Sequence, residues 1–418
     1  MIIHYTCVTC GRRYETEKLI YRCPTCSGAR KEGGFQKGNL AVEFDPPHAR
    51  EPGATVDPLS FLPLPVRHSS SFPVGNTPLI QPARLCEKTG FGNLFLKIDS
   101  LNPSGSLKDR ASLLVAEQAK LLGERRIVLA STGNAGASMA CAGAAYGLSV
   151  ILFVPASAPR AKLLQSLLYG ALVVPVQGTY DDAFSLSVQY TDRFGGVNRN
   201  TGYNPLTVEG KKTVSIELYN QLGGRVPDVL TVPTGDGVIF SGACKGFADL
   251  VKAGLAERMP VMVAVQAEGS NAIARSWKEG REITLSITAT IADSLSVASP
   301  ASGQLALDWL RKTSGRTVEV SDEEISRGQA ELCSEAGIFV EPSSAAAWAG
   351  FLKDRGNLDP RSTAVVLLTG TGFKDIGAAE KLVSLPESCP ADLKSAVDLL
   401  KRAYGIKKMN PREYRGAG

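Results

Sequence analysis

Short apolar runs alternate with segments of helical periodicity from residue 76 onward. The runs are rich in β-branched and aliphatic residues, and the segments between them repeat apolar residues every three or four positions. The predicted strands are Leu94–Ile98, Ile127–Ser131, Val150–Val154, Leu172–Val176, Val229–Pro233, Val261–Val265 and Ala364–Thr369. The predicted helices include Ala111–Leu122, Ala135–Tyr146, Arg160–Leu168, Thr213–Leu222 and Ser241–Ala253. This alternation predicts an α/β fold with mostly parallel sheets.

Shifts in composition divide the chain into four regions. Residues 1–35 form a short cysteine-bearing module, and residues 36–75 are rich in proline, which predicts an extended arm rather than a helix or strand. Residues 76–385 carry the strand–helix alternation. Residues 386–418 are more polar, with a predicted helix at Leu393–Tyr404 and a frayed end at Arg412–Gly418.

The overall composition excludes several classes of protein. The 418 residues carry a net charge of +5 with both signs interspersed, so no basic patch predicts nucleic-acid binding. No apolar run reaches the roughly 18 residues of a membrane helix, and the first residues lack the pattern of a secretory signal. Of the nine cysteines, four occur as two C-x-x-C pairs. We therefore expect a cytoplasmic protein with free thiols and a metal site rather than disulfides.

The four paired cysteines predict a zinc ribbon. Cys7 and Cys10 form one C-x-x-C pair, Cys23 and Cys26 form the other, and twelve residues separate the pairs. Four thiolates complete a closed tetrahedral shell, so the predicted role is structural, and a module this small needs the metal to fold. A redox dithiol pair and a metal-free relic are the alternatives.

One lysine stands among turn formers and small hydroxylated residues. The segment Asn102-Pro-Ser-Gly-Ser-Leu-Lys108-Asp-Arg110 follows a predicted strand and precedes a predicted helix. A helix start disfavours a cation, because its N–H groups and the positive end of the dipole face that position. The position therefore suits an amine that must act as a nucleophile in Schiff-base chemistry. Taken alone, the segment fits a solvated surface lysine equally well.

Three further loops follow predicted strands, where parallel α/β folds bind their ligands. They are Ser131-Thr-Gly-Asn134-Ala-Gly136, Pro233-Thr-Gly235-Asp236-Gly237 and Leu368-Thr369-Gly-Thr-Gly372. The first two offer backbone N–H groups to an anion, and the second suits a phosphate if the Asp236 side chain points away toward backbone donors. Each loop alone is equally a capped turn. Together with Lys108 they indicate a cofactor that is tethered by its phosphate and held as an imine.

These segments resemble the fold-type II pyridoxal-phosphate enzymes of the tryptophan synthase β-like superfamily, and most closely the threonine synthases. The resemblance covers about Asn76 to Asp375, and a zinc-ribbon start occurs in some threonine synthase-like proteins. Its motifs are Asn76-Thr-Pro-Leu79, the Lys108 segment, Ser131-Thr-Gly-Asn134, Gly337-Ile-Phe-Val-Glu341-Pro-Ser-Ser-Ala-Ala346 and Leu368-Thr369-Gly-Thr-Gly-Phe-Lys374-Asp375. It implies two three-layer α/β/α domains with mostly parallel sheets, the smaller one, about residues 100–200, inserted in the larger. It also implies a homodimer that acts on a small amino-acid substrate.

The resemblance also implies a role for each loop. Lys108 would hold pyridoxal 5'-phosphate and then remove the Cα proton, and Thr369 would meet the pyridine nitrogen, which suits elimination and replacement over transamination. The implied cofactor-binding residues are Lys108, Asn134, Gly235, Asp236, Gly237, Val238, Ile239 and Thr369. The implied substrate-binding residues are Ser131, Thr132, Asn134, Ala135 and Lys211.

One segment departs from the threonine synthase pattern. Threonine synthases act on O-phosphohomoserine and hold its phosphate with Asn-Ser and an arginine around an Asn-Pro-x-Arg-x-Glu-Gly segment. Here Thr207 stands where that arginine is expected, which removes a bidentate phosphate partner. Lys211, Lys212 or Arg199 could supply the missing charge, or all three could be solvated surface charges.

Other departures keep the substrate open. Thr371 stands where many threonine synthases carry histidine, the phosphate loop lacks the usual Gly-Asn-x-Gly-Asn, and Thr290–Val297 is closer to a segment of serine/threonine dehydratases. The leading hypothesis is a threonine synthase-like lyase. The second is a dehydratase or a Cβ-replacing enzyme of the cysteate or cysteine synthase type. The third is a zinc-ribbon binding module on an inactive enzyme body, against which the intact Lys108, Asn134 and Thr369 count.

Overall fold

The computed structural model of the chain describes residues 3–15, 19–27, 37–48, 51–285 and 288–405. Its strands are β1 (His4–Cys7), β2 (Arg13–Glu15), β3 (Leu40–Glu43), β4 (Leu79–Ile80), β5 (Leu94–Ile98), β6 (Arg126–Ala130), β7 (Ser149–Pro155), β8 (Leu172–Val176), β9 (Val197–Asn198), β10 (Val229–Pro233), β11 (Val261–Ala267), β12 (Arg316–Val320) and β13 (Ala364–Leu368). Its α-helices are α1 (Pro24–Ser27), α2 (Ala83–Thr89), α3 (Lys108–Leu121), α4 (Asn134–Tyr146), α5 (Arg160–Leu168), α6 (Tyr180–Phe194), α7 (Leu206–Glu209), α8 (Thr213–Gln221), α9 (Val238–Lys252), α10 (Ala272–Glu279), α11 (Gly303–Lys312), α12 (Asp322–Ala336), α13 (Pro342–Asp354), α14 (Ile376–Glu380) and α15 (Leu393–Tyr404). Short 3-10 helices lie at Pro58–Phe61, Ser69–Ser71, Asp99–Leu101, Gly210–Lys212, Asp293–Leu295, Arg355–Asn357 and Gly372–Lys374.

The larger sheet has six strands in the order β12-β11-β10-β13-β5-β4. Its neighbours are parallel except for the edge pair of β4 and β5. Successive residues of a strand point to opposite faces. Leu230 and Met262 accordingly pack with α8, α9 and α11, whereas Val229 and Val263 pack with α12 and α13. The sheet is therefore the middle of three layers.

The smaller sheet has four parallel strands in the order β8-β7-β6-β9. Ile127 and Leu152 pack against α3 and α4 on one face. Val128 and Phe153 pack against residues of α6 on the other face. Two sheets, each covered by helices on both faces, confirm the predicted α/β fold class.

A third, antiparallel sheet of order β2-β1-β3 carries the cysteine module. Its third strand, β3, lies beyond residue 35. The module packs on the segment that follows β9. The Asn198 N–H donates to the Tyr21 hydroxyl at 2.7 Å, Tyr21 stacks on Tyr203 with ring centroids 5.0 Å apart, and the Asn39 amide donates to the Gly202 carbonyl at 3.0 Å.

The proline-rich arm departs from the prediction of a wholly extended segment. It contains the two 3-10 helices Pro58–Phe61 and Ser69–Ser71. The Asp57 carboxylate caps the first by accepting from the Leu59 N–H at 3.0 Å, and Pro58 supplies a backbone angle that suits a first helical position. Phe61 and Phe72 are buried, so the arm is packed by its aromatic residues.

The chain divides into two compact units, Met1–Asp375 and Ile376–Gly418. The second unit contains α14 and α15, and α15 spans the predicted Leu393–Tyr404. The Asp392 carboxylate caps α15 by accepting from the Ser395 N–H at 2.9 Å. The predicted frayed end, Arg412–Gly418, lies outside the described residues. Within the described ranges, no helix is both long and apolar enough to span a membrane.

Candidate active site

Lys108 is the first residue of α3, and its side chain is half-buried. The loop before it is tied to the end of β13. The Leu107 N–H donates to the Thr369 carbonyl at 2.8 Å, and Ser106 forms a β-bridge with Gly370. These backbone contacts place the lysine beside Thr369, at the carboxyl end of a central strand of the larger sheet.

The two residues after Lys108 fix the start of α3. The Asp109 carboxylate accepts from the N–H and the hydroxyl of Ser104 at 2.6 and 2.5 Å, which closes the loop. Burial raises the pKa of Asp109 to about 6. Arg110 is fully buried and donates to the carboxylates of Asp99 and Glu217 at 2.6 to 2.8 Å. The backbone that carries Lys108 is thus held by charge-assisted hydrogen bonds.

A cavity opens beside Lys108. Six of the eight residues predicted to bind the cofactor line it: Lys108, Asn134, Gly235, Asp236, Ile239 and Thr369. A neighbouring pocket shares part of its wall. The shared residues are Asn134, Ser294, Glu341 and Ser343, and the neighbouring pocket adds Lys162, Gln165 and Lys374.

The loop after β10 presents the start of a helix to this cavity. Gly237 has a φ of +83° and immediately precedes α9, whose first N–H groups have no partner within the helix. A Cβ on Gly235 would lie 2.8 Å from the carbonyl oxygen of Ser294, so only glycine fits there. The Asp236 carboxylate accepts from the Val238 N–H at 2.9 Å. It therefore turns to a backbone donor, as expected, although it still lines the cavity.

Asn134 begins α4 and is held by Glu341. Its amide donates to both carboxylate oxygens of Glu341, at 2.9 and 3.1 Å. Burial raises the pKa of Glu341 to about 7, although the Asn134 amide and the charges of Lys374 and Lys108 act in the opposite direction. Glu341 thus keeps the amide of Asn134 oriented at the cavity wall.

The turn before α4 is capped from within. The Ser131 hydroxyl oxygen accepts from the N–H groups of Gly133 and Gly136 at 3.3 and 3.0 Å. Thr132 and Ala135 lie half-buried in the same turn. The hydroxyl of Ser131 is thereby committed to the backbone, and the turn offers its remaining N–H groups at the start of a helix.

The alternative that Arg199, Lys211 and Lys212 are solvated surface charges is wrong. All three side chains are fully buried. Lys212 pairs with Glu209 and Asp249, each at 2.7 Å. The Lys211 ammonium has no hydrogen-bond partner among the described residues. The helical turn that carries the two lysines packs between α3 and α9, which removes both from water.

Thr207, at the position where an arginine is expected, does not face the cavity. It is fully buried, its hydroxyl donates to the Asn204 carbonyl at 2.6 Å, and its oxygen accepts from the Gly202 N–H at 3.1 Å. Both hydrogen-bonding functions of the hydroxyl are used within its own loop. Thr207 therefore acts as a local structural residue rather than as a phosphate ligand.

The four cysteines predicted to bind metal come together. The sulfur atoms of Cys7, Cys10, Cys23 and Cys26 all lie within 4.8 Å of one another. The Cys7–Cys26 and Cys10–Cys23 sulfur distances are 3.9 and 3.8 Å. A tetrahedron with zinc–sulfur bonds of about 2.3 Å has edges of about 3.8 Å. The cluster has the dimensions of a four-thiolate zinc site.

Residues 70–370 match the family described as pyridoxal-phosphate dependent enzyme. The chain belongs to the pyridoxal-phosphate dependent enzymes. Curated relatives named threonine synthase are similar over most of its length. The protein of Methanosarcina acetivorans is 32% identical over 384 residues, 89% of this chain and 92% of the relative. That of Methanocaldococcus jannaschii is 32% identical over 405 residues, 94% of this chain and 98% of the relative.

Solved structures of pyridoxal-phosphate enzymes share the fold. A fungal L-serine ammonia-lyase from Rhizomucor miehei superposes with a TM-score of 0.63 at 23% identity, covering 74% of this chain and 97% of that one. Maize serine racemase superposes with a TM-score of 0.64 at 22% identity, covering 81% of this chain and 96% of that one. These likenesses establish the fold, and the predicted resemblance to fold-type II enzymes is confirmed.

The residues around the cavity fit pyridoxal phosphate. Lys108 supplies an amine for its aldehyde, the start of α9 supplies N–H groups for its phosphate, and Thr369 supplies a hydroxyl for its ring. Gly235 allows the loop to lie against the backbone of Ser294 and Leu295, an approach that a Cβ would prevent. The cavity therefore offers one partner to each functional group of the cofactor.

Several cavity residues were not predicted as site residues from the sequence. Glu341 and Ser343 stand at the start of α13, and Ser294 and Leu295 come from the preceding 3-10 helix. Glu341-Pro carried the sequence signal of a helix start, but nothing in the sequence showed that the carboxylate would meet Asn134. That contact joins residues 207 positions apart.

Proposed function

We propose that the protein converts O-phosphohomoserine and water to L-threonine and phosphate. The observation that carries this proposal is the likeness to a threonine synthase over 94% of this chain and 98% of the relative. Lys108, Asn134 and Thr369 around one cavity support it.

In this reaction the Cα proton and one Cβ proton are removed, the bond between Cγ and the phosphate oxygen breaks, and phosphate leaves with both electrons of that bond. A proton then adds at Cγ, the hydroxyl group of water adds at Cβ, and a proton returns to Cα. When bound, pyridoxal phosphate supplies the electron sink that makes the Cα proton acidic. Lys108 would take that proton, and its place on the cavity wall at the start of α3 supports this role.

Other residues position the reactants. Thr369 lines the cavity and would meet the ring nitrogen of pyridoxal phosphate, and a hydroxyl there would leave that nitrogen largely unprotonated, whereas a carboxylate would favour its protonated form. Asn134, fixed by Glu341, presents its amide beside Lys108. The N–H groups of the turn before α4 receive the substrate carboxylate.

A specific observation favours a second candidate function. Thr207 provides no phosphate ligand, because its hydroxyl is bonded within its own loop. A serine/threonine dehydratase, or a Cβ-replacing enzyme of the cysteate or cysteine synthase type, needs no phosphate site at that distance from Cα. The two candidate functions differ in the substrate that the enzyme would convert.

The holoenzyme should be incubated separately with O-phosphohomoserine, O-phosphoserine, threonine and serine. Phosphate release with threonine formation from the first compound supports the proposed reaction. A 2-oxo acid with ammonia from serine or threonine supports the dehydratase, and phosphate release from O-phosphoserine only when sulfite or sulfide is present supports the Cβ-replacing enzyme.

We also propose that the four-cysteine cluster binds one structural zinc ion. Its closed set of four thiolates leaves no open position for a substrate. Metal analysis of the purified protein should give one zinc per chain, and a Cys23→Ser variant should lose it. A homodimer in the cytoplasm stays a prediction, which sedimentation of the purified protein and fractionation of cells test.

A further inference from the structure

Two buried basic side chains near Lys108, those of Arg199 and Lys211, make no hydrogen bond or ion pair with a carboxylate within the described part of the chain. The buried carboxylate within electrostatic reach of both is Asp236, which accepts a hydrogen bond from the Val238 N–H. The Arg199 guanidinium donates only to hydroxyls, to Thr201 at 2.6 Å and to Ser112 at 3.3 and 3.4 Å. The Lys211 ammonium has no hydrogen-bond partner. Buried charges in proteins are normally paired or coordinated, and the single Asp236 carboxylate does not balance Arg199, Lys211 and Lys108 together, so the three basic groups indicate a further anion.

The neighbouring lysine shows that the fold does supply carboxylates where a lysine is structural. Lys212 contacts Glu209 and Asp249 at 2.7 Å each and lies 4.0 Å from the centre of the Phe44 ring. Lys211, one residue earlier on the same 3-10 helix, is equally buried and receives none of these contacts. Lys211 thus lacks the partners that the same segment provides for Lys212.

Lys211 lies on a 3-10 helix that contacts both α3 and α9. Its Cβ packs against Gly242 of α9, whose first turn follows the Asp236 loop, and Gly210 packs against the Arg110 carbonyl at the start of α3. The side chain is thus enclosed between the helix starts that carry the cofactor-binding loop and Lys108.

The charges around Lys211 are consistent with this position. Burial lowers the pKa of Lys211 well below its ordinary value, and the charges of Lys108 and Arg199 lower it further. Burial raises the pKa of Asp236, but Lys108, Lys211 and Arg199 outweigh this effect and leave it below its ordinary value. The four side chains therefore lie within electrostatic reach of one another.

We propose that Arg199 and Lys211 together bind the phosphate group of the substrate and so replace the arginine that Thr207 lacks. The inference rests on the proposed function for the identity of the substrate, but not for the anion site itself. A guanidinium and an ammonium supply the charge-assisted donors that a phosphate dianion prefers. Thr201 shares a hydrogen bond with Arg199 and lies in the same segment as the family's Asn-Ser pair.

The cofactor also carries a phosphate, so the two sources must be separated. The start of α9 and the Gly235–Gly237 loop already provide N–H donors for the cofactor. Arg199 is bonded to Ser112, one helical turn beyond Lys108 on α3, and not to that loop. The pair is therefore assigned to the substrate's phosphate, and the cofactor's phosphate is the competing assignment.

The test measures binding of inorganic phosphate to the holoenzyme by calorimetry, for the native protein and for Lys211→Gln. Phosphate should bind at least about 10-fold more weakly to Lys211→Gln, the loss expected for one hydrogen bond to a charged group. Lys211→Arg, which keeps the charge, should retain most of the affinity. Lys120→Gln, at an exposed position near the end of α3, should bind phosphate within about twofold of the native protein.

Two further readouts separate this role from a structural one. Lys211→Gln without phosphate should melt no lower than the native protein, because it removes an unpaired buried charge. Its affinity for pyridoxal phosphate should also stay within about twofold.

An unchanged affinity for phosphate, or a lowered melting temperature without any loss of phosphate affinity, overturns the proposal. A loss confined to cofactor affinity also overturns it and assigns the pair to the cofactor's phosphate. If Lys211→Gln loses phosphate binding while the native enzyme fails to convert O-phosphohomoserine, the anion site stands and the proposed function fails.

Discussion

The Asn134 amide donates to the Glu341 carboxylate at 2.9 Å and thereby joins the start of α4 to the start of α13 across the cavity. The first helix packs on the smaller sheet and the second on the larger sheet. The contact between Asn134 and Glu341 therefore connects a helix on the smaller sheet to a helix on the larger sheet at the place where the cofactor would lie.

The buried Glu341 should make stability depend on pH. Burial raises the pKa of Glu341 to about 7 in the folded protein, so the folded state holds this proton more tightly than the unfolded chain does. Stability is then greatest below the ordinary pKa of glutamate and falls as the pH rises toward 7, by up to about 3 kcal/mol. Glu341→Gln should remove this part of the pH dependence in the cofactor-free protein.

Thermal unfolding between pH 5 and pH 8 measures the effect. The native protein should lose more stability than Glu341→Gln over this interval. If both proteins show the same decline, the carboxylate is ionised throughout and the raised pKa is contradicted.

Lys108→Ala should abolish the visible absorbance of lysine-bound pyridoxal phosphate and reduce turnover to background. The reason is that Lys108 is the cavity residue assigned to hold the aldehyde and to accept the Cα proton. Lys120→Ala, on the exposed end of the same helix, is the matched control and should keep both. An unchanged spectrum in Lys108→Ala would assign the cofactor to another amine.

Removal of zinc should destabilise the cysteine module and should also lower the affinity for phosphate. Tyr21 accepts from the Asn198 N–H and stacks on Tyr203, so the module supports the segment that carries Arg199. Cys23→Ser or a strong chelator should lower the melting temperature and weaken phosphate binding several-fold. Normal phosphate affinity in the zinc-free protein would show that the module does not support this segment.

The buried ion pairs that Lys97 and Arg110 form with Glu217 should contribute strongly to the stability of the folded protein. Arg110 and Lys97 both donate to Glu217. Glu217→Gln leaves two buried cations short of a partner and should cost about 3–5 kcal/mol. Asp359→Asn removes an exposed pair with Arg361 and should cost about 1 kcal/mol or less. Chemical denaturation of the two variants compares these costs, and equal effects would contradict the assignment of Glu217.

Much of the fold could be predicted from periodicity. The strands Leu172–Val176 and Val229–Pro233 have the predicted bounds, because they are continuous apolar runs flanked by turn residues. β9 is only two residues long and β12 is an edge strand with half-exposed residues, so neither has the apolar signal of a buried strand. Helix α9 begins three residues before its predicted start at Ser241, because the first turn after Gly237 has no polar cap to mark it.

The loops that form the candidate site could be predicted from the sequence, but the contacts between their side chains could not. The motif residues Lys108, Asn134 and Thr369 follow strands whose carboxyl ends meet, so their convergence follows from a parallel fold. The contact between Glu341 and Asn134 was missed because the two residues are distant in the sequence. The burial of Arg199 and Lys211 was missed because a charged residue in a sequence gives no sign of the helices that will cover it.

In the proposed reaction, phosphate leaves by cleavage of its bond to Cγ, and solvent water enters at Cβ. The reaction of O-phosphohomoserine in water enriched in oxygen-18, with mass analysis of both products, tests both steps. Threonine should carry one oxygen-18 atom in its hydroxyl group, and phosphate should carry none. Labelled phosphate formed together with homoserine would contradict the proposed reaction, since the enzyme would then be a phosphatase.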